Sequence, residues 1–159
     1  MRNFNLEELF VGAWVRKFMP DQGRFTCPLR VSGIFGDGSI YLDLDGNDGD
    51  PFDANVTAIC PIPMDEDTML GFGFVRVPHG DNVWMRTVGD IRLTVSLRQR
   101  HGEVECRRAA ISGRFACWNE EIRYIHELQR WWTDKVLLPY GVPLDMIWTE
   151  PEKDKEELI

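Results

Sequence analysis

The sequence predicts an α+β fold: a bent antiparallel sheet or small β-barrel with one long C-terminal helix packed on it. Two patterns predict this class. Strand-like alternation with glycine-rich turns fills most of the chain, and apolar residues at helical spacing follow near its end. With 159 residues, 43% hydrophobic and 28% charged, the chain has the size and composition of one globular domain. We expect this domain to span residues 1–148, with a charged, frayed tail at residues 149–159.

The first predicted elements are a short helical turn at residues 5–9 and a strand at residues 11–18. A hairpin follows, because Gly36-Asp37-Gly38 separates two β-prone runs at residues 29–35 and 39–44. Within the second run, apolar and polar residues alternate. One face of this strand is therefore expected inside the protein and the other in water.

A short helix is predicted next, with Asp65 as its N-cap and Gly71 at its end. A second hairpin is predicted after it, because residues 91–98 alternate between apolar and polar side chains and His101-Gly102 favours a turn. In the register that this turn implies, three cross-strand pairs support the hairpin: Arg100 with Glu103, Arg98 with Glu105, and Leu97 with Cys106. A third strand is expected at residues 110–115.

The long helix is predicted to begin at Asn119, a good N-cap residue, and to have Glu120 and Glu121 in its first turn. Its apolar residues cover half of the helical circumference, more than one packed face requires. We expect Pro139 and Pro143 to force an extended passage after the helix. The predicted protein-contact residues lie on this helix and just beyond it: Tyr124, Leu128, Trp131 and Trp148.

Charge is unevenly distributed along a chain with a net charge of -8. Residues 37–67 carry nine acidic side chains and no Lys or Arg, whereas residues 86–114 carry seven Arg and three acidic side chains. No apolar run is long enough to span a membrane, and acidic residues occupy the place where a signal peptide needs an apolar segment. We therefore expect a cytoplasmic protein that does not enter a membrane.

Two segments have the beginnings of a metal site. His126 and Glu127 open an HExxH-like string, but Arg130 stands where the second histidine of a zinc hydrolase belongs. The acidic segment around residues 43–50 begins like a calcium loop and then departs from that pattern. Its candidate metal ligands are Asp43, Asp45, Asn47 and Asp50. We expect a structural helix and a solvated loop, with no cofactor and no catalytic residue.

The arginine-rich hairpin at residues 86–114 is the candidate for contact with phosphates. Its candidate residues are Arg92, Arg98, Arg100, Arg107 and Arg108. The expected cross-strand glutamates and the negative net charge oppose this interpretation.

Three segments together resemble a known group of proteins. They are Gly46-Asn47-Asp48-Gly49-Asp50-Pro51-Phe52, Ile59-Cys60-Pro61-Ile62-Pro63-Met64 with Gly71-Phe72, and Tyr124-Ile125-His126-Glu127-Leu128-Gln129. In this order they resemble small uncharacterised proteins of Bacteroidetes phages, prophages and mobile elements, which read GNEGDxW, PIPLTxExLxxxGF and YVHELQ. That group has no assigned activity, so the resemblance implies a genetic context and no chemistry.

From these observations we expect a non-enzymatic accessory or protein-interaction protein of a phage or mobile element. Its partner would be another protein or a second copy of itself. Two alternatives stay open: a nucleic-acid-associated module that uses the hairpin at residues 86–114, and a metal-dependent enzyme built on His126 and Glu127.

Overall fold

A computed structural model of the chain describes residue 4 and residues 6–43, 52–113 and 117–151. The chain divides into two compact units, each with one antiparallel sheet. The first unit is Met1–Ile62 with Tyr124–Gln129, and the second is Pro63–Arg123 with Arg130–Ile159. The predicted α+β class, with antiparallel sheet and one long C-terminal helix, is confirmed.

The first unit contains a sheet with the strand order β2-β1-β3-β4-β5, in which β6 also pairs with β1. Its elements are a 3-10 turn at Leu6–Glu8, β1 at Trp14–Met19, β2 at Arg24–Phe25, β3 at Leu29–Ile34, β4 at Ser39–Asp43, β5 at Phe52–Asn55, a 3-10 turn at Val56–Ala58 and β6 at Ile59–Cys60. The predicted hairpin is confirmed: β3 and β4 pair antiparallel, and Gly38 takes a positive φ in the turn between them.

Alternation along β4 determines which side chains of the first unit reach its core. Ile40 and Leu42 are fully buried, whereas Tyr41 between them is exposed, as the sequence predicts. The buried apolar cluster of this unit consists of Phe4, Leu9, Ala13, Val15, Leu29, Val31, Ile40, Leu42 and Ile59.

The second unit contains a five-stranded sheet with the strand order β11-β10-β9-β8-β7. Its elements are helix α1 at Glu66–Gly71, β7 at Val75–Arg76, β8 at Val83–Val88, β9 at Ile91–Arg100, β10 at Glu103–Ser112 and β11 at Cys117–Glu121. Asp65 caps α1 as predicted, because its side chain accepts a hydrogen bond from the Thr68 amide at 2.9 Å.

The turn and the first pair of the second hairpin agree with the sequence prediction, whereas the register beyond them does not. His101 and Gly102 take positive φ values, and Arg100 pairs with Glu103. A β-bulge between Val104 and Cys106 then shifts the ladder, so that Arg98 pairs with Cys106 instead of Glu105. Leu97 pairs with Arg107, not with Cys106. One extra residue in one strand is enough to move every later pair by one position.

The predicted helix start at Asn119 is wrong. Cys117–Glu121 is strand β11, in which Asn119 pairs with Ala110 of β10. The third strand therefore lies at these residues, and residues 110–112 continue β10. A strand partner distant in sequence overrides the local capping signal, because a complete ladder supplies more backbone hydrogen bonds than one cap.

The C-terminal helix runs from Ile125 to Tyr140, first as α2 (Ile125–Trp132), then as a π-helical segment (Thr133–Leu137), then as α3 (Leu138–Tyr140). The sequence predicts that Pro139 ends the helix. This prediction is wrong, because Pro139 lies inside α3. Since proline has no amide hydrogen and crowds the carbonyl four residues earlier, the wider π turn before it removes this conflict. The helix ends at Gly141, which is left-handed and donates its amide hydrogen to Leu137.

The segment after the helix is attached to the second unit near α1. The Trp148 ring packs on Phe72 at 5.1 Å and covers Gly71, and the Thr149 amide donates to the Gly71 carbonyl. Residues 152–159 of the predicted tail lie outside the described residues. Within the described part of the chain, no helix is long and apolar enough to cross a membrane.

Candidate functional site

The segment His126-Glu127-Leu128-Gln129, which we call the HELQ segment, has three polar side chains. All three contact other residues of the first unit. His126 is buried, with its Nε2 atom 3.5 Å from a carboxylate oxygen of Glu8. The Phe4 ring contacts the imidazole edge-on at 4.6 Å, and the Tyr124 ring stacks on it at 5.9 Å. Two aromatic rings and one carboxylate thus contact the imidazole, and among the described residues no further His, Cys, Asp or Glu completes a group of three that could hold a metal ion.

The two other polar residues of the segment bind backbone groups. The Glu127 carboxylate accepts a hydrogen bond from the Tyr124 amide at 3.2 Å, which caps the start of α2. The Gln129 amide group donates to the Gly12 carbonyl and accepts from the Trp14 amide, both at 2.9 Å. The geometry of these contacts supports a structural role for the helix motif.

The acidic segment is only partly described. Asp43 is half-buried at the end of β4 and pairs across the ladder with Arg30, whose guanidinium group lies over the Trp14 ring. The other three candidate ligands, Asp45, Asn47 and Asp50, lie outside the described residues. Among residues that the structure describes, no group of three or more His, Cys, Asp or Glu side chains is arranged to hold a metal ion.

A further candidate site of the first unit is an open hollow on the solvent side of β4 and β5, which we call the aromatic–acidic hollow. Its volume is about 570 Å³. The Phe35 and Tyr41 rings meet edge-to-face at 4.8 Å and remain 44% and 39% exposed. Among the described residues, its lining consists of Phe35, Asp37, Ser39, Tyr41, Asp53, Ala54 and Asn55.

Strand pairing and a glycine position the two rings of the hollow. Tyr41 pairs with Gly33 on one side and with Asp53 on the other, so one ring and one carboxylate are neighbours on the same face. A side chain at Gly33 would meet Phe35 and Tyr41 at 3.4–3.5 Å, so the glycine leaves the space that both rings cover.

Two carboxylates, those of Asp37 and Asp53, line the hollow. Within the described residues, neither Asp37 nor Asp53 has a basic side chain at ion-pair distance. A backbone hydrogen bond from Ser39, with a second one from the Ser39 hydroxyl, lowers the pKa of Asp37, so its carboxylate stays charged at neutral pH. Negative charge beside two exposed aromatic faces is an environment that attracts a cation.

The sequence did not identify this hollow. Alternation in β4 correctly predicts that Tyr41 points outward. No local signal, however, pairs Tyr41 with Asp53, which lies beyond the acidic segment. The exposed tyrosine within an acidic, base-free stretch was the only available indication.

The arginines of the second hairpin are divided between the two faces of the sheet in the second unit. Arg92, Arg98, Arg100 and Arg108 lie on the exposed face, opposite the buried Ile91, Leu93, Val95 and Leu97 of β9. Arg107 lies on the other face, and its Nε atom donates to the Met64 carbonyl. Arg107 therefore does not lie on the same face as the other four arginines predicted to contact nucleic acid.

Another arginine in the same region also has a structural role. Arg86 donates to the carbonyl oxygens of Phe72 and Asp145, which holds the segment after the helix against α1 and its neighbours. Its partial burial lowers the pKa of the guanidinium group, although not enough to discharge a side chain of this kind at neutral pH.

The predicted protein-contact residues are mostly covered. Leu128 is 0% exposed and Trp131 is 7% exposed, so neither forms an exposed contact surface. Tyr124 and Trp148 are half-buried, with Tyr124 stacked on His126 and Trp148 packed on Phe72. The wide apolar arc of the helix is therefore explained by burial within the chain.

Cys60 is the most buried thiol of the first unit, and burial raises its pKa. A protonated, covered thiol is a poor nucleophile, so Cys60 does not supply the activated cysteine that covalent catalysis needs.

Comparison of the chain with protein-family models, with curated proteins and with solved structures finds no match in any of the three. Any function assigned to the chain therefore depends on the geometry of its described residues.

Proposed function

We propose that this chain is a non-enzymatic accessory protein that binds a basic segment of a partner protein in the aromatic–acidic hollow. The observation that carries the proposal is the exposed Phe35–Tyr41 pair beside the carboxylates of Asp37 and Asp53, which form no ion pair with any described residue. A lysine or arginine of the partner would lie against a ring face while its charge meets a carboxylate. Contacts of this type contribute about 0.5–1 kcal/mol each at exposed sites.

Charge along the chain supports a cationic partner. Residues 37–67, which supply most of the hollow, contain nine acidic side chains and no Lys or Arg. Such a surface raises the rate of encounter with a basic segment and disfavours an acidic one. The resemblance to phage and mobile-element proteins adds the proposed context: the partner belongs to the element or to its host.

A random-peptide display selection on the immobilised protein tests the proposal. We expect enriched peptides to contain Lys or Arg, and we expect their affinity for Asp53→Asn to fall about two- to fivefold, as the loss of one exposed contact of about 0.5–1 kcal/mol implies. Asp81→Asn is the matched control, because it removes an exposed carboxylate of the second unit at a distance in sequence from the hollow.

Three results would overturn the proposal: peptides without enriched Lys or Arg, affinities that fall equally in both variants, or affinities unchanged by Asp53→Asn. Sedimentation of the wild-type protein over a range of concentrations distinguishes self-association. If a second copy supplies the basic segment, the dimer dissociates on Asp53→Asn and persists in Asp81→Asn.

A further inference from the structure

The exposed face of the sheet in the second unit carries a row of arginines that the proposed protein contact does not use. Arg92, Arg98 and Arg100 project from β9 on this face, and Arg108 projects from the neighbouring β10. The face is formed by β8, β9, β10 and β11 within one unit. Its other side is the buried apolar side of β9.

These arginines differ in the partners they already have. Arg100 is 3.5 Å from the Glu105 carboxylate, and Arg108 donates two hydrogen bonds to the Asn119 side-chain oxygen, at 2.6 and 3.0 Å. Arg92 and Arg98 are exposed, and neither forms an ion pair with another described residue. Two guanidinium groups are thus available to an external anion.

The β-bulge changes the surroundings of Arg98. Without the bulge Arg98 would face Glu105, but the shifted register places Cys106 opposite it and leaves Glu105 to Arg100. An open hollow of about 500 Å³ results at this position, lined by Arg98, Gln99, Arg100, Glu105 and Cys106. Because of the bulge, Arg98 does not pair with Glu105, the cross-strand partner that the sequence predicts for it.

The spacing of the row matches an extended polyanion. Arg98 follows Arg92 by six residue steps along β9, a distance of about 20 Å. Thr94 and Ser96 lie between them on the same face, and Ser112 pairs with Arg92 across the ladder. Arginine together with Ser and Thr hydroxyls is the donor set that contacts phosphate oxygens in nucleic-acid complexes. One strand of B-form DNA places about six phosphates along the same distance.

We infer that this face binds the phosphate backbone of a nucleic acid without reading its bases. A phosphate chain is the ligand we infer, because Thr94 and Ser96 lie between Arg92 and Arg98 on this face and add hydroxyl donors for phosphate oxygens. Val83 and Met85 of β8 pair with Ser96 and Thr94 on the same face, so competition by poly-glutamate is needed to distinguish an acidic peptide from DNA. Binding is weakened by salt, because the neutralised phosphates release counterions.

The test is fluorescence anisotropy of a labelled DNA duplex of about 20 base pairs at several salt concentrations, starting near 50 mM. The double substitution Arg92→Gln/Arg98→Gln is expected to weaken binding at least tenfold. It should also flatten the slope of log K against log salt by about 1.8, the value for two phosphate contacts. Arg98→Lys with Arg92 intact is expected to retain most of the affinity, because the charge remains.

The matched control is Arg24→Gln/Arg123→Gln, which removes two exposed positive charges elsewhere. If both double variants lose DNA affinity equally, net charge explains the effect and the inference is overturned. Absence of DNA binding by the wild-type protein at the lowest salt concentration would also overturn the inference. Poly-glutamate that competes as well as DNA per charge would reassign the face to acidic peptides, and inorganic phosphate that competes at micromolar concentration would reassign it to a free anion.

A substitution in the aromatic–acidic hollow distinguishes this inference from the proposed function. Asp53→Asn lies in the other unit and is expected to leave the salt slope of DNA binding unchanged. Circular dichroism of every variant verifies that an affinity change does not reflect unfolding.

Discussion

The side-chain amide of Gln129 takes the place of a neighbouring strand at the start of β1. It donates to the Gly12 carbonyl and accepts from the Trp14 amide, as a backbone residue would in an antiparallel pair. Replacement by leucine leaves both backbone groups unsatisfied in a partly buried position. We expect Gln129→Leu to lower the free energy of unfolding by about 2–4 kcal/mol, measured by urea denaturation.

Gln22→Leu is the control for that prediction, because the Gln22 side chain also accepts a hydrogen bond, from the Arg24 Nε atom, but is exposed. Its effect should stay within about 0.5 kcal/mol. Equal unfolding midpoints for the two variants would show that the Gln129 contacts contribute nothing specific.

A second residue-level prediction concerns Gly71, which is in direct contact with Trp148. A Cβ atom at this position would lie 2.0–2.6 Å from three atoms of the Trp148 ring. Alanine is normally the better helix former, so propensity alone predicts that Gly71→Ala stabilises α1. Because an indole ring cannot bend away, we expect the opposite sign, a loss of about 1–3 kcal/mol measured by thermal or urea unfolding.

Gly36→Ala tests the same substitution where a Cβ atom would meet nothing within 4 Å and the backbone has no positive φ. Its stability should change little or rise slightly. A Gly71→Ala variant as stable as wild type would mean that Trp148 does not rest on α1 in solution.

The α1 helix is short enough for its cap to decide its stability. Asp65 accepts a hydrogen bond from the Thr68 amide at the first turn. We expect Asp65→Ala to lower the free energy of unfolding by about 1 kcal/mol and Asp65→Asn to retain nearly all of it, because asparagine caps as well as aspartate. Chemical denaturation of both variants measures the difference. If the asparagine variant falls as far as the alanine variant, charge and not capping stabilises this helix end.

Elements that depend on adjacent residues were predictable, and elements that depend on distant partners were not. The turns at Gly38 and His101 and the cap at Asp65 follow from local chemistry, and the structure contains all three. Strand β11 was predicted as a helix start, because Asn119 has the same local signal as a cap. The bulge before Cys106 was equally invisible, since an extra residue in one strand is defined only by the strand that faces it.

The candidate sites show the same difference between features set by adjacent residues and features set by distant strand partners. The arginines were found from composition, but the register alone separates Arg107 from the four arginines on the exposed face. The hollow needed β5 to bring Asp53 beside Tyr41. Two of the predicted contact residues, Leu128 and Trp131, are buried. An apolar arc identifies residues that must be covered, and the sequence does not tell whether the same chain covers them.

The C-terminal helix is shared by the two units, because Tyr124–Gln129 belongs to the first and Arg130 onward to the second. A helix is cooperative along its length, so loss of its first turn weakens the turns that follow. We therefore expect one unfolding transition for the whole chain. Leu42→Ala in the first unit and Leu93→Ala in the second should each lower the same midpoint, since both leucines are fully buried and each substitution costs about 2–5 kcal/mol.

Circular dichroism and hydrogen exchange resolved by peptide measure this cooperativity together. In the cooperative case, Leu42→Ala also accelerates exchange in β9 and β10, where it alters no side chain. Val11→Ala, at an exposed position of the first unit, is the control and should leave exchange unchanged in both units. Two separate transitions, or faster exchange confined to the substituted unit, would mean that a continuous helix does not by itself couple the two sheets.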